Sequence, residues 1–140
     1  MDVASSADLA TELRQTLGRV VRRMRAEPGP SPGRMAILMR LDRGGAASVS
    51  DLAAAERMRP QSMAQAVGYL EEDGFVLRHP DPDDRRRMFV ELTPEGHDLL
   101  RRTRAQRDSW LAGVLDRDLD AAERRQLQEA LALLGRIAES

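Results

Sequence analysis

Apolar residues recur along the chain in short helical stripes that proline and glycine interrupt. Leu9, Leu13, Leu17, Val20, Val21 and Met24 fall at helical spacing. They predict a first helix from about Ala7 to Arg25, with Ser5 or Ser6 at its start. Glu27-Pro28-Gly29-Pro30 breaks it. Ser31 before Pro32 has the form of an N-cap followed by a first-turn proline. Met35, Leu38, Met39 and Leu41 carry a second helix on to Gly44-Gly45. Ala46 to Val49 reads as a short extended bridge. Ser50 is expected to cap a compact third helix, Asp51 to Glu56. Arg57-Met58-Arg59 turns, and Pro60 opens a fourth helix whose Met63, Val67 and Leu70 form an i, i+4, i+7 stripe before Gly74.

Beyond Gly74 the period changes from helix to strand. Phe75 to His79 and Met88 to Leu92 read as two short strands joined by a tight, polar, proline-containing loop. Thr93-Pro94-Glu95 predicts the start of a fifth helix running to about Leu115. Asp120 with Glu123 resembles a capping box. It opens a sixth helix that reaches about Ala138 and carries Leu127, Leu131, Leu134 and Ile137. The predicted order is α-α-(β)-α-α-β-β-α-α, mainly α with a small β wing. The third and fourth helices form a helix-turn-helix, and the hairpin makes it winged.

Composition narrows this picture. The chain has 140 residues, the size of one ordinary domain. Its 22 basic and 23 acidic residues nearly cancel, so net charge gives nucleic-acid binding no support and any basic surface must come from arrangement. All 22 basic residues are Arg; arginine suits phosphate and base recognition, but in such a chain its position must carry the argument. The absence of cysteine excludes disulfides, thiolate zinc sites and thiol redox sensing. The N-terminal stretch is polar and lacks the apolar core of a signal peptide. No apolar run approaches the roughly 20 residues of a membrane span. The expectation is a cytoplasmic protein.

Residues 81 to 96 read DPDDRRRMFVELTPEG. Within them Asp84-Arg85-Arg86, then Leu92-Thr93 and Gly96, match D-x-R, five residues, L-T-x-x-G. That is the wing signature of the MarR family of transcriptional regulators. Ser50-Asp51-Leu52-Ala53 and Leu70-Glu71-Glu72-Asp73-Gly74-Phe75-Val76 are similar to that family's helix-turn-helix entry and exit. The chain thus resembles the family over nearly its whole length. The resemblance implies a homodimeric, sequence-specific double-stranded DNA-binding repressor. Its recognition helices would sit about one DNA turn apart, roughly 34–36 Å, on a palindromic operator. It also implies a division of the chain: residues 1–30 an N-terminal helix of the dimerisation lobe, 31–93 the winged helix-turn-helix, and 94–140 the C-terminal dimerisation helices.

The resemblance assigns Arg86 as the residue that enters a minor groove, where width and potential draw arginine in. Asp84 is assigned as its orienting partner, since a carboxylate can hold a guanidinium in a planar two-point pair. Arg85 and Arg87 would touch phosphates. Asp81 and Asp83 are expected to shape the turn with Pro80 and Pro82. On the fourth helix, Gln61, Ser62, Gln65 and Tyr69 lie largely away from the apolar stripe, and Arg59 precedes it. Gln61 and Gln65, one turn apart, are the expected base readers, because Gln pairs bidentately with adenine edges. Ser48 and Ser50 are expected to hold phosphates. The competing reading is a merely solvated surface. Pro60 stands one residue earlier than in the family's commoner S-R-P-T form, and Ala64 replaces a frequent hydroxyl; the resemblance therefore assigns no base preference.

The family commonly binds small aromatic or phenolic anions between its dimer helices and its DNA-binding lobe. Here that implies an apolar lining from Met24, Met35 and Met39, with Arg14 or Arg40 meeting the anion; the competing reading of these methionines is plain core. No cofactor or metal is expected, since His79 and His97 are the only histidines. An alternative function is a winged-helix protein-interaction module without direct DNA binding, which the polar fourth helix and arginine-bearing wing disfavour. An enzyme finds no nucleophile–base pair, glycine-rich phosphate loop or metal cluster in the sequence.

Overall fold

Hydroxyl and carboxyl side chains start most of the helices in the computed structural model, which describes residues 3–140. Residues 1 and 2, part of the expected N-terminal segment, lie outside it. Helix α1 (Ser6–Arg25) begins on Ser5, whose Oγ accepts the Asp8 amide N–H at 3.1 Å. Helix α2 (Pro32–Gly44) begins on Ser31, which accepts from the Arg34 amide at 3.3 Å. A two-residue strand, β1 (Ala47–Ser48), runs directly into α3 (Val49–Ala55). Ser48 caps this helix, not Ser50 as the sequence suggested; its Oγ accepts the Asp51 amide at 3.0 Å. Ser48 is the last extended residue, with φ −73° and ψ 155°, the backbone state that an N-cap requires. Helix α4 (Pro60–Glu72), strands β2 (Val76–Pro80) and β3 (Met88–Leu92), and helices α5 (Pro94–Asp118) and α6 (Ala121–Ala138) complete the order. The predicted capping box at Asp120 and Glu123 forms in both directions.

The sheet is antiparallel in the order β1-β3-β2. Val76 pairs with Leu92 and Pro80 with Met88, and Ala47 pairs with Val90 on the other side of β3. The extended bridge before α3 is therefore an edge strand of the wing sheet.

The chain divides into two compact units, one made of the chain up to Met24 with Gln106–Ser140, the other of Arg25–Ala105. The second holds the core. Met35, Ile37, Leu38 and Leu41 of α2 meet Leu52 of α3 and Met63, Val67 and Leu70 of α4, with Val76, Val90 and Leu100 closing the cluster. In the first unit no described residue is buried. Along α6, Leu127, Ala130 and Leu134 are half-buried. Leu131 on one margin of that stripe and Leu133 and Ile137 on the other remain more than half exposed.

Two turns set the geometry of the winged unit. Helix α3 ends with Arg57 in the left-handed region at φ 54°. The Met58 amide reaches back to the Ala53 carbonyl at 2.8 Å and that of Arg57 to Ala54 at 3.3 Å, the Schellman pattern. Helix α4 closes the same way on Gly74 at φ 84°, with Phe75 N–H to the Leu70 carbonyl at 2.9 Å. Phe75 is used for this closure, so β2 starts one residue later than the apolar pattern implied. The Phe75 carbonyl then accepts the Thr93 amide at 3.1 Å. Thr93 Oγ1 donates to the Gly74 carbonyl at 2.6 Å and accepts the Gly96 amide at 3.0 Å. A Cβ on Gly96 would lie 2.0 Å from the Phe75 oxygen, inside any tolerable contact.

A second tie joins α4 to β2. The Glu71 carboxylate accepts from the Arg78 guanidinium at 3.1 and 3.4 Å and from the Arg78 amide at 3.1 Å. The guanidinium hydrogen bond, with the amide bond and the Arg78 charge, holds the Glu71 pKa below its usual value against the opposing effect of desolvation.

Gly96→Ala is expected to destabilise the winged unit by about 3 kcal/mol or more, because backbone rather than a flexible side chain blocks the methyl; urea denaturation measures this. A lowered carboxylate pKa stabilises the fold above the unfolded glutamate pKa and loses that contribution as pH falls through the folded value. Glu71→Gln should therefore cost under about 1 kcal/mol at neutral pH, as befits a half-exposed pair. Thermal melts should show the gap to the parent protein closing in acid.

Candidate nucleic-acid interface

Helix α4 separates its faces cleanly. Met63, Val67 and Leu70 are buried, while Gln61, Ser62, Gln65 and Tyr69 are exposed and Arg59 stands exposed just before them. The start of this helix differs from the others. Ser5, Ser31, Ser48, Thr93 and Asp120 each accept an amide at the start of α1, α2, α3, α5 and α6. The N-cap of α4 is Arg59, which makes no side-chain cap. Pro60 has no N–H, and the Met63 amide is taken by the Arg59 carbonyl at 3.0 Å. The Gln61 and Ser62 amides are left pointing out of an uncapped helix end. Such an end carries partial positive charge and suits a phosphate.

Along one stripe of α4, Gln65 Nε2 donates to the Tyr69 hydroxyl at 3.2 Å. The Arg34 guanidinium of α2 lies 5.9 Å from the centre of the Tyr69 ring and donates to Asp73 Oδ2 at 3.0 Å. A cleft of about 240 Å³ between the two helices is lined by Arg34, Ile37, Gln65 and Tyr69, among others.

The wing tip is built on its acids. Asp81 is buried; its amide donates to the Arg87 carbonyl at 2.9 Å and its Oδ1 accepts the Asp83 amide at 2.8 Å. Asp84 differs from expectation: its Oδ1 accepts the backbone amide of Arg86 at 3.0 Å, and among the described residues it makes no ion pair with the Arg86 guanidinium. An Asx turn satisfies a backbone donor that the tight loop would otherwise leave open. Asp84 therefore orients Arg86 through the main chain.

Arg87, expected on phosphate, is exposed and paired within the chain. Its guanidinium donates to Ser48 Oγ and to Asp51 Oδ2, both at 3.2 Å, and lies 5.9 Å from the Phe89 ring. It ties the wing to the start of α3. Ser48, also expected on phosphate, is buried and committed to the cap and to Arg87, while Ser50 is exposed. Arg85 and Arg86 remain exposed and, among the described residues, form no ion pair. Charge in the chain as a whole balances, yet one unit carries both the two exposed guanidinium groups of the wing tip and the uncapped start of α4.

Of the residues expected around an effector, Met35 is buried in the core of the winged unit and Met39 packs against that core. Arg40 Nε lies 2.8 Å from Glu56 Oε1. Arg14 is exposed and Met24 half-buried in the terminal-helix unit. Sequence reasoning missed Arg34 and Arg78. Their partners lie on other elements, and the only visible signal was the i, i+4 spacing of Gln65, Tyr69 and Asp73. No helix among the described residues is long and apolar enough to cross a membrane.

Comparison with known proteins agrees with this geometry. Residues 31–88 match the MarR family model. The chain is 35% identical over 133 residues to the HTH-type transcriptional regulator MT0903.1 of Mycobacterium tuberculosis, covering 93% of this chain and 92% of that one. A solved Pseudomonas aeruginosa PA01 protein described as a transcriptional regulator is 35% identical, superposes with a TM-score of 0.87 and covers 99% of each chain. A MarR family protein from Bacillus stearothermophilus, 20% identical, shares the fold with a TM-score of 0.77 over 100% of this chain and 99% of its own. The mainly helical chain with its three-stranded wing therefore belongs to the MarR family of helix-turn-helix transcriptional regulators, proteins that bind DNA and are not enzymes.

Proposed function

We propose that the protein is a cytoplasmic homodimeric repressor that grips a palindromic operator and is released by a small aromatic or anionic ligand. The observation that carries the DNA-facing part is the joint placement, in one unit, of an uncapped and polar α4 with a wing bearing Arg85 and Arg86. In this reading the Gln61 and Ser62 amides and Ser50 meet phosphates. Gln61 and Gln65 read base edges in the major groove, with Ser62 and Tyr69 beside them. Arg59 and Arg85 add phosphate contacts, and Arg86 enters the adjacent minor groove. Arg87, Ser48 and Asp84 position the wing.

Dimerisation is supported by the terminal-helix unit, which has apolar faces and, among the described residues, none that is buried. Leu9, Leu17 and Val20 of α1 and Leu131, Leu133 and Ile137 of α6 are all exposed. A second copy is the natural cover, since a twofold axis pairs such faces with themselves. In this reading the unit of the chain ends serves the dimer and the unit Arg25–Ala105 the DNA, so the start of α5, expected with the dimer helices, goes with the DNA-binding unit. The ligand would act by favouring a half-site spacing that does not fit DNA.

A footprint on the intergenic DNA beside the protein's own start codon tests the whole reading, and protection of a palindrome is the expected result. Arg86→Ala should weaken binding to every duplex and lower the salt slope by about one unit; titrations at several salt concentrations decide it. The pair Leu131→Asp and Ile137→Asp should sediment as a monomer and lose at least about tenfold in operator affinity. A dimeric double variant would remove the α6 face from the interface.

A further inference from the structure

We infer that Arg34, a residue of α2 outside the recognition helix, is a positioning residue for base readout: it holds Tyr69, and through Tyr69 it holds the Gln65 side chain in its reading position. The inference rests on Gln65 being a base reader. Gln65 and Tyr69 of α4 and its C-cap residue Asp73 follow one another at four-residue intervals along one stripe. Arg34 crosses from α2 and touches two of them, lying 5.9 Å from the Tyr69 ring centre and 3.0 Å from Asp73. Tyr69 in turn accepts from Gln65 Nε2 at 3.2 Å.

Chemistry gives each link a purpose. A free glutamine side chain samples several rotamers, and its amide meets a base edge in only some of them. A phenol hydroxyl that accepts from Nε2 holds the amide in one place on the helix face and leaves Oε1 and the second N–H of Nε2 for a base. It also lowers the rotamer freedom lost when the helix docks. Tyr69 is itself exposed and needs a hold. The face of its ring attracts a cation, and Asp73 keeps the planar guanidinium in place. A surface ion pair of this kind adds little to stability, so its value lies in what it orients. Ser31 anchors the reach from below, since it caps α2 at the Arg34 amide.

Selection of binding sites from a randomised duplex library, with the purified full-length protein, tests this together with salt titrations on the selected site. Gln65→Ala identifies the base position that Gln65 reads. Arg34→Met should flatten preference at that same position by about two- to fivefold, the scale of an exposed cation–π contact, without changing the salt slope. Tyr69→Phe, which keeps the ring and loses only the hydroxyl, should flatten the same position, so a poorly folded Arg34 variant does not decide the matter. In the Gln65→Ala background neither change should flatten it further. A salt slope lowered by about one with preference intact would make Arg34 a direct phosphate contact and overturn the inference. So would intact preference in both Arg34→Met and Tyr69→Phe beside an altered Gln65→Ala. Should Gln65→Ala leave every preference unchanged, Gln65 is no reader, and the failure lies in the underlying assignment.

Discussion

The winged unit depends on the close approach of Gly96 to the Phe75 carbonyl. Three elements meet there: the end of α4, the start of β2 and the start of α5. Thr93 bridges them with one hydroxyl, donating to the Gly74 carbonyl and accepting the Gly96 amide. The Leu92-Thr93-x-x-Gly96 motif is thus a joint, in which a hydroxyl supplies both a helix cap and a cross-link and a glycine leaves room for main chain. Without the joint, β3 would have no fixed exit. The hairpin that carries Arg85 and Arg86 would then rest on the Glu71–Arg78 tie, the Arg87 contacts and the β1 pairing alone.

Much of this was legible in the residues. Pro32, Pro60 and Pro94 mark helix starts in the sequence and stand at helix starts in the structure. The stripe Met63, Val67, Leu70 is the buried face of α4, and β3 has the predicted bounds. What escaped was a matter of partners. A carboxylate two residues before an arginine can meet its guanidinium or its amide, and the tight loop decided for the amide at Asp84. Ser48 and Ser50 could each cap the third helix by sequence, and the extended backbone angles at Ser48 decide for it. The resemblance gave Arg87 a phosphate to touch, and no sequence signal pointed to a partner within the chain. Its actual partners, Ser48 and Asp51, lie more than thirty residues away.

The two units divide the chemistry. Arg25–Ala105 is self-sufficient, with a continuous apolar core and ion pairs that tie α2 to α3 and α4 to β2. The unit formed by the chain ends keeps its leucines half-covered or exposed, and its ion pairs, such as Arg124 with Asp116, lie on the surface. Burial lost in one chain can be regained between two, as happens in small helical units that fold only in company.

The bare start of α4 has a thermodynamic consequence. An uncapped helix end typically costs about 1 kcal/mol relative to a serine or aspartate cap, and here it is left uncapped in the free protein. A phosphate oxygen placed on the Gln61 and Ser62 amides would supply the missing acceptor. Nucleic acid bound there would complete the helix, and part of the protein's own conformational stability would then reside in its partner.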